Sequence, residues 1–100
     1  MTDNATKKHY RNIAHTLSPV VTIADKGMTP NVQTELARAL DDHELIKVKL
    51  AIADRDSRKE ICAQLCKALS CEVIQQIGKV VVLFRAAKKP NPRLSNLLRK

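Results

Sequence analysis

The sequence predicts an α/β domain in which helices pack on a four-stranded mixed sheet, in the order α-β-α-β-α-β-β. Three observations lead there. Leu45 to Ile52 alternates strictly, with Ile46, Val48, Leu50 and Ile52 on one side and Leu45, Lys47, Lys49 and Ala51 on the other, the period of a strand with one buried face. The stretches before and after it carry apolar residues three and four positions apart, which is the period of a helix. Farther on, the runs Glu72–Ile77 and Val80–Arg85 are separated only by Gly78-Lys79, and glycine at the first turn position suits a type II′ hairpin.

Each element follows from its residues. Tyr10, Ile13, Ala14 and Leu17 recur at helical spacing between Thr6 and Thr16, with Lys7, Lys8 and Arg11 on other faces; Pro19 is expected to end this helix. Val20, Val21 and Ile23 form a short β-branched strand, and Gly27 punctuates the loop after it. Thr29-Pro30 opens the second helix, as a hydroxyl N-cap followed by proline at the first helical position. That helix should run to about His43, with Val32, Leu36, Ala39 and Leu40 as its apolar stripe. Asp54-Arg55-Asp56-Ser57 is a polar turn with Asp56 as the candidate N-cap of a third helix, whose core stripe is Ile61, Leu65, Ala68 and Leu69.

One hundred residues with 44% hydrophobic content suit a single domain. Eighteen Lys and Arg against ten Asp and Glu give a formal charge of +8, a balance that favours a polyanionic partner. Five of those cations, and no acid, lie in Ala86–Lys100, so this segment carries +5 of the +8. With the breaker Pro90-Asn91-Pro92 it is expected to be a mobile basic tail, residues 88–100, attached to a body of residues 1–87. Leu94, Leu97 and Leu98 suggest that part of it folds on a partner. No apolar run approaches the roughly 20 residues of a membrane span, and the polar start Met1-Thr2-Asp3-Asn4 lacks the apolar core of a secretory signal, so a cytoplasmic location and no membrane partner are expected.

The loop at Lys26-Gly27 is the first candidate site. A strand end, a short glycine-bearing loop and a helix N-terminus together favour an anion, because the first helical N–H groups lack intrahelical partners. Phosphate is the natural occupant. Lys47 and Lys49, on one face of the second strand, suit a phosphate backbone lying across the sheet. Cys62, Cys66 and Cys71 lack CxxC spacing and a matching set of further ligands, which argues for buried thiols and against a metal. His9, His15 and His43 lie far apart and sit in no catalytic motif, so no enzyme is expected, nor a cofactor or small-molecule substrate. Tyr10 and Phe84 are the only large aromatic side chains, few platforms for base stacking, which disfavours sequence-specific reading of a single strand and favours contacts to shape and backbone.

The run His43-Glu44-Leu45-Ile46-Lys47-Val48-Lys49 carries a resemblance to a known family, together with Ala14-His15-Thr16-Leu17-Ser18-Pro19-Val20-Val21, Gly27-Met28-Thr29 and Ile77-Gly78-Lys79. Over about Lys7 to Arg85 the chain resembles a CRM domain, the family named for chloroplast RNA splicing and ribosome maturation, which includes single-domain bacterial proteins of the YhbY type. The resemblance implies a fold similar to the C-terminal domain of a bacterial translation initiation factor, a GxxG loop comparable to that of KH domains, and association with ribosomal RNA in large-subunit precursors. In this chain Ala24 stands where the first loop glycine is expected and Asp25 follows it, so Lys26 and Gly27 carry the match. The residues expected to meet RNA are Lys26, Gly27, Met28 and Thr29 in the loop, Lys7, Lys8 and Arg11 on the first helix, Lys47, Lys49 and Lys79 on the sheet, and Lys88 and Lys89 in the tail. The protein is expected to act as a monomer. The competing expectation is an adaptor that docks an acidic protein through its basic surface and tail.

Overall fold

The computed structural model describes residues 2–97. Among them the chain forms α1 (Asn4–Ala14), β1 (Val21–Ile23), α2 (Pro30–His43), β2 (Leu45–Leu50), α3 (Arg55–Leu69), β3 (Glu72–Ile77) and β4 (Val80–Phe84). The strands make one sheet in the order β1-β2-β4-β3, with β1 parallel to β2 and the other two pairs antiparallel. The predicted order and the mixed sheet are both present.

Helices cover both faces of the sheet, unequally. On the face of α2 and α3, thirteen buried side chains among the described residues form one core, including Leu36, Leu40, Ile46, Val48, Leu65 and Leu83. Under α1 only Ala14, Leu45, Ile74 and Val82 are fully buried, with Tyr10, Ile13, Leu17, Phe84 and Leu97 around them. Burial at about 25 cal/mol per Å² therefore stabilises the α2/α3 face far more than the α1 face. Toward the β3–β4 hairpin the α1 side of the sheet is open, and Lys49 and Ile77 lie exposed there.

The element ends depart from expectation for local reasons. α1 begins at Asn4 because Asp3 caps it, its carboxylate accepting from the Thr6 N–H at 2.7 Å. It ends at Ala14, well before Pro19, where the N–H groups of Thr16 and Leu17 tighten onto the carbonyls of Ile13 and Ala14. β1 starts one residue late: Val20 N–H still donates to the Lys47 carbonyl, but its side chain is 44% exposed. β2 stops at Leu50, although the Ala51 N–H still donates to Ile23, and β4 stops at Phe84. The N-cap of α3 is Asp54, not Asp56, since its carboxylate accepts from both the N–H and the hydroxyl of Ser57. Cys62 joins Leu65 and Leu69 in the buried stripe and Ala68 faces solvent. The hairpin is as expected, with Gly78 at φ +56° and Lys79 outside the positive-φ region.

Between α2 and β2 there is one residue, Glu44. It makes the reversal with φ +62° and ψ −47°, in the region that L side chains seldom adopt. The side chain is 6% exposed, and its carboxylate accepts from the Ala87 N–H at 3.0 Å and the Ser95 hydroxyl at 2.8 Å.

Those bonds correct the expectation of a mobile tail as far as Leu97. Ser95 is fully buried, Asn96 donates from its backbone to His43 and from its amide to the Leu45 carbonyl, and Leu97 packs at the edge of the α1 core. His43 turns Nδ1 toward the Leu94 carbonyl at 2.7 Å, a structural role that ties the end of α2 to the C-terminal segment. Leu94 is 38% exposed, and Leu98, Arg99 and Lys100 lie outside the described residues. Ending the chain after Ala87 should remove these contacts and strip the buried Glu44 carboxylate of a donor, at a cost of roughly 2–4 kcal/mol. For a domain of this size the melting temperature should fall by on the order of 10 °C; an unchanged thermal melt would show that the segment is dispensable to the fold.

Candidate nucleic-acid interface

The topology gathers several expected residues at one end of the sheet. β1 and β2 run parallel, so the loop after Ile23 and the turn after Leu50 leave the same edge, and antiparallel β4 brings the β3–β4 hairpin beside them. The Leu50 N–H donates to the Lys79 carbonyl at 2.6 Å, which fixes that neighbourhood. Lys26, Lys49 and Lys79 are thus exposed at one end, together with the N-termini of α2 and α3, whose dipoles add positive potential.

The loop itself is built by packing. Gly27 has φ +71°, its N–H donates to the Ala24 carbonyl at 2.8 Å, and a Cβ there would lie 3.1 Å from Cδ1 of Ile61 on α3. Glycine is needed because the loop is pressed against α3 while turning left-handed. Met28 packs onto the larger core, and the Thr29 hydroxyl accepts from the Val32 N–H at 3.2 Å. With Pro30 lacking an N–H and Val32 already capped, the opening of α2 presents few free donors. Attraction for phosphate here rests on side-chain charge more than on a backbone cradle, with Lys26 and Asp25 both exposed.

The other expected residues are dispersed. Arg11 and Lys47 meet with His15 in a shallow depression of about 250 Å³ on the open sheet face, beside Gln75, Ile77 and Val80. Lys8 is exposed on α1, whereas Lys7 is 3.7 Å from the Glu72 carboxylate. Glu72 also accepts from the hydroxyl and N–H of Thr2, and these hydrogen bonds hold its carboxyl below the usual range. Lys88 and Lys89 lie past the far end of β4, roughly 16 Å of strand from the hairpin at about 3.3 Å per residue. They line a cleft of about 860 Å³ with Arg85, Asp41 and Asp42.

Three cations at the crowded end escape a sequence reading: Arg55, Arg58 and Lys59, in the first turns of α3. A run of charge on a helix ordinarily marks a solvated face. The available signal was position, because Arg55 heads a helix whose dipole disfavours a cation there.

The remaining chemistry is quiet. Tyr10 and Phe84 pack on each other with centroids 4.9 Å apart, so both rings belong to the α1 core and neither is a free stacking platform. Burial, with Cys66 close by, pushes the Cys71 thiol up to about 12, and burial also raises Cys62. Neither is a thiolate at neutral pH. Iodoacetamide at neutral pH should therefore spare Cys62 and Cys71 in the native protein and modify both in urea, as read by peptide mass; native labelling would show the packing to be looser.

Glycine packing in the loop can be tested against the hairpin. Gly27→Ala carries both a positive φ and the Ile61 contact and should cost about 1–2 kcal/mol, whereas Gly78→Ala, with open space around its Cβ, should cost less. Urea denaturation gives the order; equal costs would remove the Ile61 contact as the reason for Gly27.

The chain is similar to known proteins. A probable RNA-binding protein of Pseudomonas aeruginosa is 47% identical over 93 residues, covering 93% of this chain and 89% of its own. An RNA-binding protein of Haemophilus influenzae is 36% identical over 88 residues, covering 88% of this chain and 89% of its own. The solution structure of a hypothetical protein from Staphylococcus aureus is similar with a TM-score of 0.78 at 30% identity, over 89% of this chain and 93% of that one. The pattern of the CRS1 / YhbY (CRM) domain matches residues 3–85, and the chain belongs to that family.

Proposed function

We propose that this protein binds structured RNA through its phosphate backbone, without catalysis, and that its cellular partner is ribosomal RNA in large-subunit precursors. It acts in this reading as a cytoplasmic monomer with no cofactor. The observation that carries the RNA reading is the convergence of exposed cations from the 24–29 loop, β2 and the β3–β4 hairpin at one end of a rigid sheet, in a chain whose two aromatic rings are engaged with each other. Relatives named as RNA-binding proteins support the ligand class. Support for the ribosomal partner comes from the family resemblance of the HELIKVK run and the loop.

Binding by charge makes affinity sensitive to salt. If about four phosphates are neutralised, log K against log salt should have a slope near roughly −3, at about 0.7–0.9 per contact. A slope near zero would exclude the mechanism. Asp25→Lys replaces a carboxylate beside Lys26 and should tighten binding, with little effect on stability because the residue is exposed. In sucrose gradients of native lysate the protein should travel with large-subunit particles at low salt and leave them at high salt. Sedimentation at the top of the gradient under both conditions, with an acidic protein retained, would favour the adaptor instead.

A further inference from the structure

We propose that the first turns of α3 and the β3–β4 hairpin form a second phosphate-binding subsite, beside the 24–29 loop, for the backbone of the same RNA. This subsite rests on the RNA reading and deepens it. Arg55, Arg58 and Lys59 line a depression of about 370 Å³ whose other wall is Gln76 and Gly78. The spacing i, i+3, i+4 places the three cations on one face of α3, turned toward the hairpin. Among the described residues none of the three forms a salt bridge. No acid lines the depression; the ionised Asp54 carboxylate, which caps α3 through the N–H and hydroxyl of Ser57, is within electrostatic reach of Arg58 and offsets part of that one charge.

Two further observations point to an anion. Arg58 is anchored through Nη1, which donates to the carbonyls of Ile52 and Ala53 at 2.7 and 2.8 Å, so its guanidinium charge is held in place at the wall of the depression with no carboxylate bonded to it among the described residues. Arg55 stands at the head of α3, where the helix dipole opposes a cation, so its charge works against the helix unless an anion approaches. Gly78 gives the anion room, since no atom lies within 4 Å of where its Cβ would be. The Gly27 loop packs on Ile61 of α3 and leaves the same end of the sheet as the hairpin, so one RNA can span loop and subsite across the N-terminal turns of α3.

The test pairs two variants of equal charge. Arg55→Gln/Lys59→Gln removes two cations of the subsite and leaves Arg58, which holds backbone carbonyls, in place. Arg38→Gln/Lys67→Gln removes two exposed cations from elsewhere on α2 and α3. Binding is measured to an RNA hairpin with a fully paired stem across a salt series, with thermal melts of each variant. The subsite variant should bind about tenfold more weakly at low salt and flatten the log-log slope by roughly 1.5, the sum of two contacts. Its melting temperature should hold or rise, because a cation has left a helix N-terminus. The control variant should lose far less. Equal losses in both variants would reduce the effect to net charge and overturn the subsite, as would an unchanged slope. If Lys26→Gln weakens binding while Arg55→Gln/Lys59→Gln does not, the subsite falls and the RNA reading stands; if the parent protein binds no RNA at low salt, both fall.

Discussion

A single residue has to turn the chain from α2 into β2, and much of the structure follows from how Glu44 does it. With His43 still helical and Leu45 already paired in the sheet, the reversal requires a positive φ, for which glycine is the unstrained solution. Glutamate holds the strained position because its carboxylate is used: it ties the Ala87 N–H at the exit of β4 and the Ser95 hydroxyl to the start of β2. A buried carboxylate to which no cation is bonded among the described residues is tolerable only when such donors are fixed. The C-terminal segment is therefore part of how Glu44 is accommodated. Arg85 completes the junction by donating to the carbonyls of Leu69 and Ala37 and to Asp41, so one guanidinium closes the C-terminal ends of both α2 and α3.

This junction also decides the distribution of charge. By holding residues 87–97 against the body, it keeps Lys88 and Lys89 at the end of the sheet opposite Lys26 and Lys79. The chain has two separated basic regions in place of a folded body with a free cationic tail. They differ in electrostatic setting. Around Lys88 and Lys89 the helices α2 and α3 end, and Asp41 and Asp42 share the cleft, so their charge and the helix dipoles offset part of the lysines' attraction for an anion. At the other end both helices begin, and the depression between α3 and the hairpin has no acidic lining.

What could be read from the sequence was what depends on local periodicity and turn chemistry. The alternation of β2, the Thr29-Pro30 opening of α2 and the Gly78-Lys79 hairpin are each determined within a few residues, and each stands where expected. The errors arose where two local solutions compete and tertiary packing chooses. Asp54 and Asp56 are both competent caps, and only the burial of Ile52 and the reach of Arg58 back to its carbonyl select the former. The docking of α3 on the sheet likewise turned Cys62 inward and Ala68 outward, a rotation that the apolar stripe alone does not settle. The docking of Ser95 was illegible because its partner is 51 residues away, across a strained turn with no sequence mark. The site was legible in part: the loop and hairpin lysines carried motif signals, whereas Arg55, Arg58 and Lys59 looked like any charged helix until the sheet order set them against Gly78.

The pairing of Tyr10 with Phe84 has a consequence for selectivity. With both rings committed to the smaller core, neither Tyr10 nor Phe84 is free to stack on a base, and phosphate contacts by themselves carry no sequence information. Discrimination has to come from the spacing of cations that the fold holds rigid. Lys49 is fixed by the β2 ladder, Lys79 by the hairpin bonded to Leu50, and Arg58 by the Ile52 and Ala53 carbonyls. In the proposed reading, cations held on this frame favour RNA whose phosphates recur at matching separations, as they do in folded RNA. The larger core lies beneath these same elements, so in the proposed reading it is what keeps the sheet and α3 in position when a polyanion binds to both.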